Sequence, residues 1–449
     1  MTGISRSFLH GGAGLAFLLL VVRPVEAPDS GGVGHKLTDP ENMKEQNMSL
    51  EISELKESND FLNVLLDHIT SAVFISDKHM RIHSVNNALQ TLFYKDENQL
   101  IGNLYGNAVG CAFAILEGKP CGSTSHCSEC LLRSSLFRTF TEKIPTYRET
   151  IKREFYIDGK SVLKYLRYST KYIKYHGAEM VLIIVDDITE IETQRVKLTE
   201  DLHAAAEIQR SLLPILSNDT DSFQVAWQFL PCQEIGGDIF NLVQLDQDHW
   251  GIYMLDVSGH GVPSAMMVVS IAQELQPYAG HVVKDPGRPV LSGNIASPAE
   301  VLQALDLEYP LERFNHYFTI SYLVFNTKTG QLRYSSAGHP RPVILRSSGE
   351  IEELEEGGTV IGMDGIAPFR EGERQLQRGD RLFLYTDGIT EYENREGEFF
   401  GKGRLYQELD SLRREPLDNL VRKVIASLQR FGQHREPQDD ISLLGLQFG

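Results

Sequence analysis

The sequence predicts an α+β multidomain protein, and three observations carry that prediction. Its 449 residues suffice for two to four domains with substantial buried cores. Short strand-like runs alternate with helical patterns along most of the chain, without an internal repeat. Four acidic sites also recur where apolar strand patterns give way to turns. Hydrophobic residues at 41% and charged residues at 23% fit an ordinary soluble protein rather than a disordered acidic one. The formal charge of −18 repels a phosphate backbone, so nucleic acid is not expected as a partner.

The N-terminus carries an apolar run, Ala13 to Val22, after Arg6 and His10, and Val25-Glu26-Ala27 loosely resembles the end of a secretory signal. A spanning helix needs about 20 apolar residues, and Arg23-Pro24 stops this run early. The expectation is a flexible segment over 1–42, no stable transmembrane association, and a cytoplasmic location. Residues 28–40, rich in Gly, Pro and Asp, read as a linker. Met43 to His68 follows as a charged helical stretch with Leu50, Leu55, Leu62 and Leu65, suited either to signalling and homodimerisation or to packing on its own domain.

From Ile69 the pattern changes. Residues 72–77 and 81–86 look like two short strands around a polar turn, and a helix with Ala88, Leu89 and Leu92 follows. Lys164 to Tyr175 and Glu179 to Asp187 suggest longer antiparallel strands, closing a compact α+β module over 69–189. The order of its elements, ending in Val185-Asp186-Asp187-Ile188-Thr189-Glu190, resembles a PAS sensor domain and its exit into a signalling helix. Residues 190–214 read as a helical regulatory linker ending at Pro214.

The remaining residues, 215–449, alternate strands and helices. Asp248 to Asp256, Phe318 to Asn326, Arg333 to Ser336 and Arg381 to Tyr385 read as strands, and Ser264 to Leu275 as a helix. A Gly/Pro-containing insert from Pro277 to Pro298 reads as a loop.

The acidic sites are Asp238 in Gly236-Gly237-Asp238, Asp256 before Val257-Ser258-Gly259-His260-Gly261, Asp387 in Thr386-Asp387-Gly388, and the pair Asp439-Asp440. A strand that buries its body delivers a terminal carboxylate into a cleft, where desolvation is costly without a cation or hydrogen-bond partners. Hard Mg²⁺ or Mn²⁺ supplies such a cation, and two of them can activate water and stabilise a departing oxygen. Taken singly, Asp238 and Asp256 equally suit turn or helix-capping roles.

In their contexts these motifs resemble the bacterial SpoIIE/RsbU-like branch of the metal-dependent PPM serine/threonine protein phosphatases, over about residues 200–448. The resemblance implies a PAS-like sensor followed by a PPM-type α/β/β/α sandwich. It implies two Mg or Mn ions, with Asp256 bridging, the Val257 backbone oxygen and Asp238 on one ion, and Asp387 and Asp439 on the other. Asp440 is ranked below Asp439, because consecutive residues of an extended segment point in opposite directions. The implied reaction is direct hydrolysis of phosphoserine or phosphothreonine in a partner protein, an anti-sigma-factor antagonist. The stretch Ala205 to Pro214 would couple regulation to catalysis. Where such phosphatases often carry another acidic residue, three places after the Gly-Gly-Asp aspartate, this chain has Asn241, which leaves open a catalytically weak scaffold that binds a regulatory partner. His260 is a candidate to protonate the leaving oxygen or orient water, against a structural turn histidine. His339, in Gly338-His339-Pro340, reads as scaffold support.

Four of the five cysteines fall within 20 positions: Cys111, Cys121, Cys127 and Cys130 form Cys-x9-Cys-x5-Cys-x2-Cys. The set suits zinc or an iron–sulfur cluster, with a dithiol switch or simply reduced thiols as alternatives. It resembles Cys-rich loops inserted in some PAS sensors. No Cys-x5-Arg phosphatase loop is expected at Cys121 or Cys127, and no Gly-x4-Gly-Lys-Ser/Thr nucleotide loop is present. Cys232 reads as structural.

Overall fold

The structure is a computed structural model that describes residues 59–175, 177–214, 222–277, 295–363 and 365–449. The expected N-terminal segment 1–42, most of the 43–68 helix and the bulk of the 277–298 insert lie outside the described residues. The chain divides into two compact units, 1–68 and 69–449. In the first, helix α1 (Asn59–His68) occupies the end of the expected helical stretch.

The second unit opens with a five-stranded antiparallel sheet: β1 (Ala72–Ser76), β2 (Ile82–Val85), β3 (Thr146–Ile157), β4 (Lys160–Tyr175) and β5 (Ala178–Asp187), in the order β2-β1-β5-β4-β3. Between β2 and β3 run α2 (Asn87–Phe93), α3 (Glu97–Leu100), α4 (Tyr105–Ala108), α5 (Ala112–Leu116) and α6 (Leu131–Glu142). Phe74, Ile82, Leu89, Phe93, Leu136, Leu166 and Ile183 pack into one core. Asn86 fixes the first corner: its Oδ1 accepts from Leu89 N as the cap of α2 and from Val73 N at 2.9 Å on β1. Strand β3 was not foreseen. Its sequence, TYRETIKREFYI, buries Ile151, Phe155 and Ile157 between charged residues, which dilutes the alternation that marks a strand.

Helix α7 (Thr189–Arg210) leaves this sheet with Glu190 and Glu192 in its first turn and Arg210 in its last, the polarity a helix dipole favours. It stops short of the expected 190–214 span, because Ser211 to Leu213 continue as turns before Pro214.

Two further sheets follow. Their strands are β6 (Phe223–Leu230), β7 (Asp238–Gln244), β8 (His249–Val257), β9 (Phe318–Asn326), β10 (Gln331–Ala337), β11 (Val343–Leu345), β12 (Ile351–Glu353), β13 (Gly357–Gly358), β14 (Gly372–Gln375), β15 (Arg381–Tyr385) and β16 (Ile441–Phe448). One sheet runs β13-β10-β9-β8-β7 with β14 beside β10; the other runs β12-β11-β15-β16-β6. Period-two alternation sorts the second sheet's side chains. Leu382, Leu384, Leu444 and Leu446 join the core of the first sheet, whereas Phe383, Tyr385, Ile441 and Leu443 face a second core. Helices α8 (Val262–Glu274) and α9 (Pro298–Glu308) pack against the first sheet; α10 (Leu311–Phe314) precedes β9. After the short α11 (Asp387–Thr390), α12 (Gly401–Ser411) and α13 (Leu417–Phe431) supply the second core. The result is a helix/sheet/sheet/helix sandwich, with the acidic strand ends gathered at one edge.

Candidate active site

Strand pairing brings the carboxylates together. Asp238 opens β7 and sits in register opposite Asp256 on β8. Asp439 and Asp440 immediately precede β16, and Asp387 opens α11 just after β15, the neighbour of β16. Two glycines permit the approach. A Cβ on Gly237 would stand 2.8 Å from the Val257 carbonyl oxygen, and one on Gly388 would stand 2.0 Å from the Asp440 carbonyl oxygen. Side chains larger than hydrogen would push these turns apart.

Burial and mutual repulsion set the protonation of the group. Burial, then the charges of Asp256 and Asp440, push Asp238 far above the ordinary carboxylate range. Burial, then Asp387, Asp439 and Asp440, push Asp256 up to about 7. Asp387 is likewise raised, by burial and then by Asp439 and Glu391.

The remaining oxygens are held by hydrogen bonds. Asp440 is buried; its Oδ1 accepts from Cys232 N at 2.8 Å and its Oδ2 from Asp238 N at 3.2 Å. Ser442 Oγ donates to Asp238 Oδ2 at 2.6 Å, and Thr386 Oγ1 accepts from Ser442 N at 3.1 Å. Asp439 is exposed and accepts from Asp440 N at 2.8 Å. Three of the expected ligands, Asp238, Asp439 and Asp440, therefore accept from protein donors. Among the described residues, no group of three or more His, Cys, Asp or Glu side chains is placed to hold a metal ion. This corrects the expected pair of Mg or Mn ions at Asp238, Asp256, Val257, Asp387, Asp439 and Asp440, and equally the expected zinc or iron–sulfur cluster at the cysteines.

Gln209, Thr386 and Ser442 did not stand out in the sequence as site residues. Ser442 had a usable signal, lying two residues after Asp440 and so on the same face of an extended segment. Gln209, on the last turn of α7, is buried and clamps both backbone groups of Gly236: Nε2 donates to Gly236 O at 2.8 Å, and Gly236 N donates to Oε1 at 3.1 Å. Asn241 has a different role from that of a lost ligand. Its Nδ2 donates to Leu212 O at 2.7 Å and its Oδ1 accepts from Leu242 N at 2.7 Å, tying β7 to the chain just past α7.

The histidines separate clearly. His260 is exposed, and its Nδ1 meets Gln233 Nε2 at 3.0 Å; it lies near Asp439, whose pKa is raised, first by burial and then by the Asp440 charge, despite the Asp440 N hydrogen bond and the nearby His260. His339 is buried, bonded through Nδ1 to Thr319 Oγ1 at 2.8 Å, and burial lowers its pKa to about 3. It stays neutral, as a scaffold residue would. Cys232 is a thiol at any ordinary pH, since burial and then Asp440 push it up to about 12.

The four clustered cysteines line one cavity of about 50 Å³ in the first sheet's domain, with Tyr105, Phe113 and Arg133. All are free thiols. Cys127 and Arg133 do stand at Cys-x5-Arg spacing, contrary to the sequence expectation. The segment is nonetheless no phosphate-binding loop: Cys127–Glu129 form a 3₁₀ turn closed by Cys130 N onto Cys127 O, and Arg133 lies in the first turn of α6 with Nη1 3.3 Å from Met80 Sδ.

Comparison with known proteins bears on the C-terminal half. Residues 246–449 match the family described as Stage II sporulation protein E (SpoIIE). Phosphoserine phosphatase RsbP of Bacillus subtilis is 28% identical over 256 residues, covering 55% of this chain and 58% of the relative. Protein IcfG of Synechocystis is 26% identical, covering 55% of this chain and 41% of the relative. This chain thus spans about half the length of these two curated relatives. Among solved structures, the SiaA-PP2C domain of Pseudomonas aeruginosa is 24% identical, covering 57% of this chain and 99% of that one with a TM-score of 0.48. The similarity to the SpoIIE family is thus confined to the C-terminal half, and a separate α/β region precedes it. Among the described residues no helix is long and apolar enough to cross a membrane.

Proposed function

We propose that the C-terminal domain hydrolyses phosphoserine or phosphothreonine in a cytoplasmic signalling protein, an anti-sigma-factor antagonist, under the control of a PAS-like domain. The observation that carries this reading is the coincidence of the SpoIIE-type match with five acidic side chains on converging strand ends. Water attacks phosphorus, the seryl or threonyl oxygen leaves, and inorganic phosphate is released. Asp256, with its pKa near 7, is placed to take the proton from water, and His260 to protonate the leaving oxygen. A protonated Asp238 reduces the negative charge that an incoming phosphate meets.

The reading divides the chain into a sensor over 69–189, a linker over 190–214 and a catalytic domain over 215–449. Ile191, Leu198 and Ile208 are exposed on α7, which supports association of two copies along this helix. The Gln209 clamp then gives any movement of α7 a path to the Gly236 turn. Asn241, engaged with Leu212, carries no argument for a catalytically weak scaffold.

The test is phosphate release from a phosphoserine peptide and a phosphorylated antagonist by the purified full chain, with and without added Mg²⁺ or Mn²⁺. Asp256→Ala and Asp387→Ala are each expected to reduce kcat/KM by about 100-fold or more, the scale of losing a positioned proton-transfer group. Absence of phosphate release under both conditions, or variants as active as the parent, would overturn the reading.

A further inference from the structure

We propose that Cys127 is the nucleophilic thiol of a modification site in the sensor cavity, oxidised there by a small hydroperoxide and then captured by Cys121 as an intramolecular disulfide. This goes beyond the phosphatase reading and does not depend on it. Four thiols around one cavity are not explained by packing alone, and among the described residues no metal-holding arrangement accounts for them. The cavity, about 50 Å³, admits only a molecule a few atoms in size.

Cys127 is set apart from its neighbours by its donors. Its sulfur receives a hydrogen bond from Gly122 N at 3.1 Å and lies 2.9 Å from Thr124 Oγ1. Arg133 closes the same corner: a Cβ on Gly122 would stand 2.5 Å from its Nη1. Burial alone would raise the Cys127 thiol, but the Thr124 and Gly122 hydrogen bonds and the Arg133 charge outweigh it and leave the pKa below the ordinary value. The loop that carries it is pinned. Glu117 accepts from Ser125 N at 3.0 Å and from Ser125 Oγ at 2.6 Å, and His126 stacks on Phe113 with ring centroids 3.8 Å apart.

Position selects Cys121 as the partner. Cys111 precedes α5 and bridges to Phe155 on β3, and Cys130 precedes α6, so drawing either toward Cys127 would disturb a helix start. Cys121 lies outside regular structure, and the peptide nitrogen that follows it is the one 3.1 Å from the Cys127 sulfur. Cys127 is also among the charges that act on Cys121, so the two thiols are neighbours, and their disulfide requires the two Cα atoms about 4.4–6.8 Å apart.

In the first step the Cys127 thiolate attacks the distal oxygen of the hydroperoxide. The O–O bond breaks, the leaving alkoxide or hydroxide takes a proton from solvent to become an alcohol or water, and the sulfur becomes a sulfenic acid. In the second, the Cys121 sulfur attacks Cys127, the S–O bond breaks, and hydroxide leaves as water with the Cys121 proton.

The experiment uses the full chain, reduced and desalted, then treated with hydrogen peroxide and followed by free-thiol titration, dimedone trapping and peptide mapping without reductant. The expected results are loss of two thiols per chain and a single Cys121–Cys127 link. Cys121→Ser should leave dimedone on Cys127, and Cys127→Ser should slow thiol loss about tenfold or more. Thr124→Val keeps every thiol and should slow iodoacetamide alkylation of Cys127 several-fold, which separates activation from misfolding. A link between other cysteines, no thiol loss in the parent, or parental oxidation rates in Cys127→Ser would each overturn the proposal.

Discussion

Two sets of acids in the same sandwich meet opposite fates. At the strand ends, Asp238, Asp256 and Asp387 face one another with no Lys or Arg among the groups that perturb them most, and their pKa values rise. Elsewhere Glu352 on β12 sits between Arg346, just past β11 and 2.5 Å away, and Arg374 on β14, while Asp380, just before β15, accepts from Arg346 at 2.8 Å. There, burial raises Glu352 but the two guanidinium groups outweigh it, so its pKa falls. Under the proposed function, the difference is between charge arranged to be used and charge arranged to be satisfied. A structural carboxylate is given its cation by the fold; a reactive one is denied it, at a cost in stability.

The largest expected effect comes from breaking the satisfied set. Asp380 is buried, and besides Arg346 it accepts only backbone donors, Ser347 N at 2.9 Å and Gln377 N at 3.0 Å. Arg346→Met keeps the aliphatic stem but strands that charge, with a cost of about 3 kcal/mol. For a domain of this size the thermal midpoint should fall by roughly 6–12 °C. Calorimetry of the full chain measures it; an unchanged midpoint would show that the backbone donors alone suffice.

The unsatisfied set should respond with the opposite sign. Asp256 has a folded pKa of about 7, above the ordinary carboxylate value, so the folded state holds its proton more tightly than the unfolded state. Ionisation therefore costs stability as pH rises from about 4 towards 7. Asp256→Asn removes that cost and should stabilise the fold by on the order of 1–2 kcal/mol at pH 7.5, while abolishing phosphate release. Denaturation in cation-free buffer at pH 7.5 and pH 5 should show the gain shrinking at the lower value. A variant destabilised at both would mean that Asp256 is satisfied in a way its surroundings do not reveal.

The sequence showed these two regions unequally. Asp238, Asp256, Asp387 and the Asp439-Asp440 pair were legible because each sits beside glycine or at the end of an apolar run, a local signal. The strands that carry them were legible too, since β8, β9 and β15 are nearly continuous apolar segments. What could not be read was who would hold the carboxylates. Cys232 and Asp238 meet Asp440, and Ser442 meets Asp238, only through the pairing of β16 with its sheet and the packing of two sheets. An expectation of metal ions filled that gap, and the hydrogen bonds corrected it. Arg346, Glu352 and Arg374 were equally silent, since isolated charges on short strands have no periodic signature. Strand β3 shows the same limit in a charged segment whose few apolar residues find their partners only in three dimensions.

The smallest effect tests whether Glu352 belongs on the satisfied side. Its folded pKa lies below the unfolded value, so its ion pairs contribute stability that is full above about pH 4.3, declines as pH falls through that value, and is gone below the folded pKa. Because the carboxylate is part-exposed, solvent screening limits the contribution to about 1 kcal/mol. Glu352→Gln should therefore lower stability by about 1 kcal/mol at pH 7 and by almost nothing near pH 3. The same substitution should leave the pH dependence of phosphate release unchanged, because Glu352 is not among the groups that perturb Asp256. Denaturation midpoints across pH 3 to 7, paired with the activity profile, decide it. A loss that persisted undiminished at pH 3 would assign Glu352 to packing rather than charge, and a shifted activity profile would join the two acid sets that the comparison holds apart.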